Sequence, residues 1–109
     1  MAQFDVHRNK GVLRDSIPYV VVVQSAQFDR YRRRVVVPLV RQTVLPRDTP
    51  IVGARMNPVF VIKGIRVVLH PLDMVSVALD QLGDAIGSLE KEGQAIANAL
   101  DELLTRSWG

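Results

Sequence analysis

The side chains from which chemistry could be built are few: two histidines, His7 and His70, five serines, and a run of arginines. Neither histidine is joined by a second histidine or a carboxylate in a metal-ligand arrangement, and the chain has no cysteine, so no metal or cofactor is expected. His7 falls on the polar side of an alternating stretch and His70 at the end of an apolar run, so both are expected at the surface. Gly83 and Gly87 lack the third glycine or the following Lys-Ser/Thr of a phosphate-cradling loop. Ser16, Ser25, Ser76, Ser88 and Ser107 lie in no nucleophile-elbow context, and Asp80 and Asp84 read as capping residues as readily as acids. No constellation points to catalysis, and the expectation is a protein that is not an enzyme.

The arginines are the one concentrated feature. Between Ala26 and Arg47 there are six of them (Arg30, Arg32, Arg33, Arg34, Arg41, Arg47) against one acid, Asp29. Net charge is only +3, so the basic character is local. Such a patch attracts acidic segments or phosphates. Tyr31 sits among the arginines, which makes both stacking and phosphate contact available to a nucleic acid. Arginine equally binds acidic protein segments through paired hydrogen bonds. The plainer reading is a solvated loop that keeps strand edges apart.

The elements that position these residues are mostly strands. Gln3 to His7 alternates polar and apolar residues, and Asn9-Lys10-Gly11 signals a turn. Tyr19 to Val23 is a β-branched run that predicts a central strand. Gln24 to Arg34 reads as a loop and Val35 to Val37 as a strand, with Pro38 marking an edge or bulge. Ile51 to Met56 is expected as a short strand. Val59 to Ile62 and Ile65 to Leu69 flank Lys63-Gly64, the signature of a two-residue hairpin. Met74 to Leu79 is read as a last strand and Gln81 to Gly87 as a loop.

Ser88 to Gly109 reads as one long amphipathic helix. Its stripe is Leu89, Gly93, Ile96, Ala97, Leu100, Leu103 and Leu104, with Ser88 as N-cap and Glu102 four residues before Arg106. Ile96, Leu100, Leu103 and Leu104 are expected in the core or a dimer interface. The 109 residues make one domain, with 48% hydrophobic and 23% charged residues, large enough to fold alone. The N-terminus shows no signal-peptide pattern and no apolar run reaches the ~20 residues of a spanning helix. A soluble, cytoplasmic protein with no membrane contact is expected. The fold class is mainly β: a small antiparallel, barrel-like sheet of five to seven strands with a single long C-terminal helix.

Several blocks, taken in order, resemble the CcdB family, the gyrase-poisoning toxins of bacterial toxin–antitoxin pairs. They are Gln3-Phe4-Asp5-Val6, Val22-Val23-Gln24-Ser25, Arg33-Arg34-Val35-Val36-Val37-Pro38-Leu39, Asn57-Pro58-Val59-Phe60, Asp73-Met74-Val75-Ser76-Val77 and Ile96-Ala97-Asn98-Ala99-Leu100. The resemblance implies a plasmid-maintenance toxin, a homodimer whose C-terminal ends enter the DNA gyrase A subunit and trap its cleaved-DNA complex. It also implies transcriptional autoregulation, so nucleic acid is reached only through gyrase or a toxin–antitoxin operator complex.

The family's Trp-Gly-Ile ending is met here by Trp108-Gly109, displaced by about one helical turn. The implied gyrase-binding residues are Ser107, Trp108 and Gly109, with Phe28 after the Gln-Ser pair and Asp101 late in the helix. The implied antitoxin carries an acidic, disordered C-terminal segment, and Arg30, Arg32, Arg33 and Arg34 are its expected contact. Two alternatives stand beside this reading: a ribonuclease toxin of the same fold, and a family member that has lost gyrase poisoning and only binds antitoxin.

Overall fold

The computed structural model describes residues 2–46 and 52–106. Among the described residues there are seven strands: β1 (Asp5–Asn9), β2 (Tyr19–Val22), β3 (Arg33–Arg41), β4 (Val59–Ile62), β5 (Ile65–Leu69), β6 (Val75–Ala78) and β7 (Leu82–Ser88). One α-helix follows, α1 (Gly93–Asp101). The strands form a single antiparallel sheet in the order β4-β5-β3-β2-β1-β7, with β6 also on β3. The mainly β class with one C-terminal helix is therefore as expected, and the sheet curls into half a barrel.

β3 is the axis of this sheet because it changes partner along its length. Arg33 to Val36 pairs with β6, Leu39 to Arg41 pairs with β5, and on the other edge Val36 to Leu39 pairs with β2. Pro38 lies at the change of partner. Its carbonyl accepts from His70 N–H at 3.0 Å on the β5 side, so its missing donor faces the gap between β5 and β6. The strand runs through the proline because its missing donor falls where β3 changes partner.

Both faces of the middle strands are buried. Val6, Tyr19, Val21, Val37, Leu39, Phe60, Val67 and Leu69 pack under Leu89, Ile96 and Ala99 at the C-terminal helix. Val20, Val22 and Val36 form a second cluster on the other face with Val77 and Leu82. This is why Tyr19 to Val22 reads as an unbroken apolar run. The hairpin at Lys63-Gly64 forms as expected, with φ of 49° and 79°, the conformation of a type I′ turn.

The structure corrects several boundaries. The first strand begins at Asp5, because Phe4 takes a left-handed φ of 71° and a turn ties Ala2 to Asp5. Met74 to Leu79 is not the last strand: β6 spans only Val75–Ala78, and after a 3₁₀ turn over Leu79–Gln81 the expected loop is β7 from Leu82 on, an edge strand on β1 with two register shifts. Its glycine is required by close approach: a Cβ on Gly83 would lie 2.7 Å from Arg8 O. Val52 to Met56 forms turns and not a strand, and Ile51 lies outside the described residues.

The long helix is also shorter than expected. A 3₁₀ turn over Glu90–Glu92 leads into α1, and a wider turn over Glu102–Arg106 follows it. Ser88 Oγ does accept from Glu90 N–H, at 3.0 Å. Leu89, Gly93, Ile96 and Ala99 are buried and Leu100 and Leu103 half-buried, while Ala97 and Leu104 are exposed. Glu102 Oε2 lies 3.4 Å from Arg55 Nε. The expected partner of Glu102, the Arg106 side chain, lies outside the described residues.

Candidate functional site

The arginine stretch is shaped by a short 3₁₀ turn over Ala26–Phe28 and the start of β3 at Arg33. Its four arginines divide into one inside and three outside. Arg34 is 2% exposed, and its Nη2 donates to Asp29 Oδ1 at 2.9 Å. Its Nη1 donates to the carbonyls of Tyr31 and Arg33, at 2.9 and 2.8 Å. The guanidinium thus closes the loop on itself, and Arg34 is no surface contact. The hydrogen bond from Arg34 holds the Asp29 carboxyl below its ordinary range, outweighing the opposing effect of desolvation.

Arg30, Tyr31, Arg32 and Arg33 are exposed. The one acid of the loop is bonded to the buried arginine, so the outward charge of the stretch is positive. Arg33 is fixed against β6: its Nε donates to Ser76 Oγ at 2.9 Å and its Nη2 to Ser76 O at 2.6 Å. The Phe28 and Tyr31 rings pair with centroids 6.1 Å apart and planes tilted by 36°. They border a recess of about 280 Å³ whose other walls include Gln24, Arg33, Val35 and Ser76. Gln24 Oε1 accepts from Val35 N–H at 2.9 Å, which turns its amide NH₂ away from that bond.

The helical end carries the other expected residues. Asp101 closes α1, and its carboxylate and carbonyl both accept from Thr105 Oγ1. It lies in a different element from Phe28, which sits in the turn after β2. Ser107, Trp108 and Gly109, expected to contact gyrase, lie outside the described residues.

The histidines depart from expectation. His7 is buried, with Nδ1 3.0 Å from Gly83 O and Nε2 enclosed with no hydrogen-bond partner among the described residues. It faces the same side of the sheet as Val20, its register partner on β2. His70 is half-buried, and its Nδ1 lies 3.1 Å from Asp73 Oδ2, at ion-pair distance but without the alignment of a hydrogen bond. Among the described residues no three His, Cys, Asp or Glu side chains group as metal ligands. An apolar groove of about 280 Å³ opens on the second face, between Val12, Leu13, Val36, Val75 and Leu82. No sequence pattern points to this groove, because Val12 and Leu13 lie at the head of a stretch, up to Pro18, with no regular alternation.

The family model described as CcdB protein matches residues 3–106, and the chain belongs to the CcdB family of toxin–antitoxin toxins. No curated protein matches the chain. Among the described residues no helix is long and apolar enough to cross a membrane.

Proposed function

We propose that this toxin poisons DNA gyrase as a cytoplasmic homodimer, without catalysis of its own. The observation that carries the reading is the extent of the family match, which runs from the first turn through the end of the helical segment. The C-terminal residues Ser107, Trp108 and Gly109 enter the gyrase A subunit, with Phe28 and Asp101 as flanking contacts. Trp is the residue type most suited to such an anchor, combining large apolar area with a donor. The two-fold seam is formed around the helical end, with Leu100, Leu103 and Leu104 near it and Ile96 inside the core.

Neutralisation comes from an antitoxin with an acidic, disordered segment. Arg30, Arg32 and Arg33 supply the complementary charge, with Arg34 holding their loop. Purified gyrase with ATP and supercoiled plasmid is the test. Linear DNA should accumulate in the presence of the protein, and Trp108→Ala should abolish that while the dimer persists. Unchanged plasmid at high concentration of a folded dimer sinks the reading. Degradation of RNA by the protein alone would replace it with the ribonuclease alternative.

A further inference from the structure

We propose that the Gln24–Arg34 loop is a binding site for single-stranded polynucleotide, taking one base into its aromatic recess and the flanking phosphates on Arg30, Arg32 and Arg33. This goes beyond the gyrase reading and does not depend on it; the same three arginines are those offered to the acidic antitoxin segment, so polynucleotide and antitoxin would compete for the loop. Three observations meet in one place. The first is charge: Asp29 is bonded to buried Arg34, which leaves three exposed arginines on the outer side of a nine-residue stretch, 26–34. The second is a stacking platform: Tyr31 is 63% exposed and its ring is braced by Phe28. Base–aromatic stacking is tolerant of sequence because every base has a π-face.

The third is the recess itself. At about 280 Å³ it lies just below the range of drug-sized pockets and suits a single planar base. Its polar groups are already oriented. Arg33 is held by two bonds to Ser76, and its Nη1 has no bond among the described residues. The Gln24 amide NH₂ is likewise unbonded among the described residues, with its Oε1 occupied by Val35 N–H. A guanidinium nitrogen suits a phosphate oxygen, and an amide donor suits an acceptor on a base edge. An acidic peptide would satisfy the arginines and the Gln24 amide through its carboxylates, but those carboxylates have no π-face to stack on Tyr31. The buried Arg34 keeps these parts in register, because it ties the carbonyls of Tyr31 and Arg33 to Asp29.

The test is fluorescence anisotropy of the full-length protein with labelled 12-mers of oligo-dT and oligo-U, the tighter of which identifies DNA or RNA as the source. With three phosphate contacts on a single strand, affinity should fall roughly twentyfold between about 50 and 200 mM salt. The Arg30→Gln/Arg32→Gln double variant should flatten the slope of log K against log salt by about 1.4. Tyr31→Ala should weaken binding at least about fivefold, and Tyr31→Phe should restore it. Circular dichroism establishes that each variant is folded. Polyglutamate is the competitor for the peptide alternative. If it displaces the oligonucleotide as well as unlabelled oligonucleotide does, and Tyr31→Ala changes neither, the loop is an acidic-peptide surface and the proposal is overturned. Absence of saturable binding at low salt overturns it as well.

Discussion

The Phe4 ring lies directly over Gly93: a Cβ at Gly93 would come within 2.7 Å of Phe4 Cε2. Phe4 reaches this position by adopting a left-handed φ of 71°, costly for an aromatic residue, and is held there from both sides. Its N–H donates to Val22 O at 2.6 Å, and its carbonyl accepts from Leu89 N–H at 2.8 Å. The N-terminus, the central sheet and the start of the helical segment therefore meet at one residue. Gly93→Ala should destabilise the protein although alanine is the better helix former. Overpacking costs about 1–3 kcal/mol, and the gain in helix propensity offsets at most about 1 kcal/mol of it. A fall in thermal midpoint of several degrees checks this, and a rise would show that the ring swings aside freely.

A parallel contrast exists between Gly83 and Gly87 on β7. The Cβ of an alanine at 83 would meet backbone, Arg8 O at 2.7 Å, whereas one at 87 would meet nothing within 4 Å. Backbone cannot rotate out of the way as a side-chain tip can. Gly83→Ala should raise amide hydrogen exchange along β7 by about tenfold or more, corresponding to ~1.4 kcal/mol of local opening, and Gly87→Ala should leave it unchanged. Equal effects from both substitutions would mean that general glycine chemistry, not the β1–β7 approach, governs this strand.

These contacts show where sequence reading reaches and where it stops. The Lys63-Gly64 hairpin was legible because two residues with positive φ and flanking apolar runs suffice to define it. β7 was hidden because Leu82-Gly83-Asp84-Ala85-Ile86-Gly87-Ser88 has little intrinsic strand preference; the strand exists through pairing with β1. Arg34 looked like its neighbours in a run of arginines, yet it lies two residues before Val36 and so shares that residue's buried face. Similar alternation applies to His7, opposite Val20 in a sheet whose middle strands are covered on both sides. The apolar run in β2 carried that signal, since a strand buried on both faces implies buried positions on both faces of its neighbours. The recess beside Tyr31 had no such signal, because it depends on β6 folding back to bring Ser76 beside Arg33.

The Asp29–Arg34 bond has a pH signature. Asp29 titrates below its ordinary value because Arg34 stabilises its ionised form, so the unfolded chain takes up that proton at higher pH than the folded one. The stabilisation is present in full above the ordinary carboxylate value of about 4 and is lost as pH falls through the lowered folded value. Asp29→Asn should lower the urea midpoint at neutral pH. The gap between wild type and variant should close progressively as pH is taken below about 4. A gap constant across that window would place the stabilising contact elsewhere than the carboxylate.

The helical end separates folding from association. Ile96 is fully buried beneath the sheet's main core, while Leu104, eight residues on, is 57% exposed on the turn after α1. Ile96→Ala should cost about 2–5 kcal/mol by leaving a cavity, visible as a large drop in denaturation midpoint. Leu104→Glu removes no buried contact of comparable size in the single chain, and its effect on monomer stability should stay within about 0.5 kcal/mol. If the two-fold seam runs past this turn, the same substitution places a charge in an apolar interface. Sedimentation velocity should then show a shift from dimer to monomer with unchanged secondary structure. A Leu104→Glu protein that remains dimeric at micromolar concentration would move the seam away from the helical end, and with it the placement of the paired C-terminal tails.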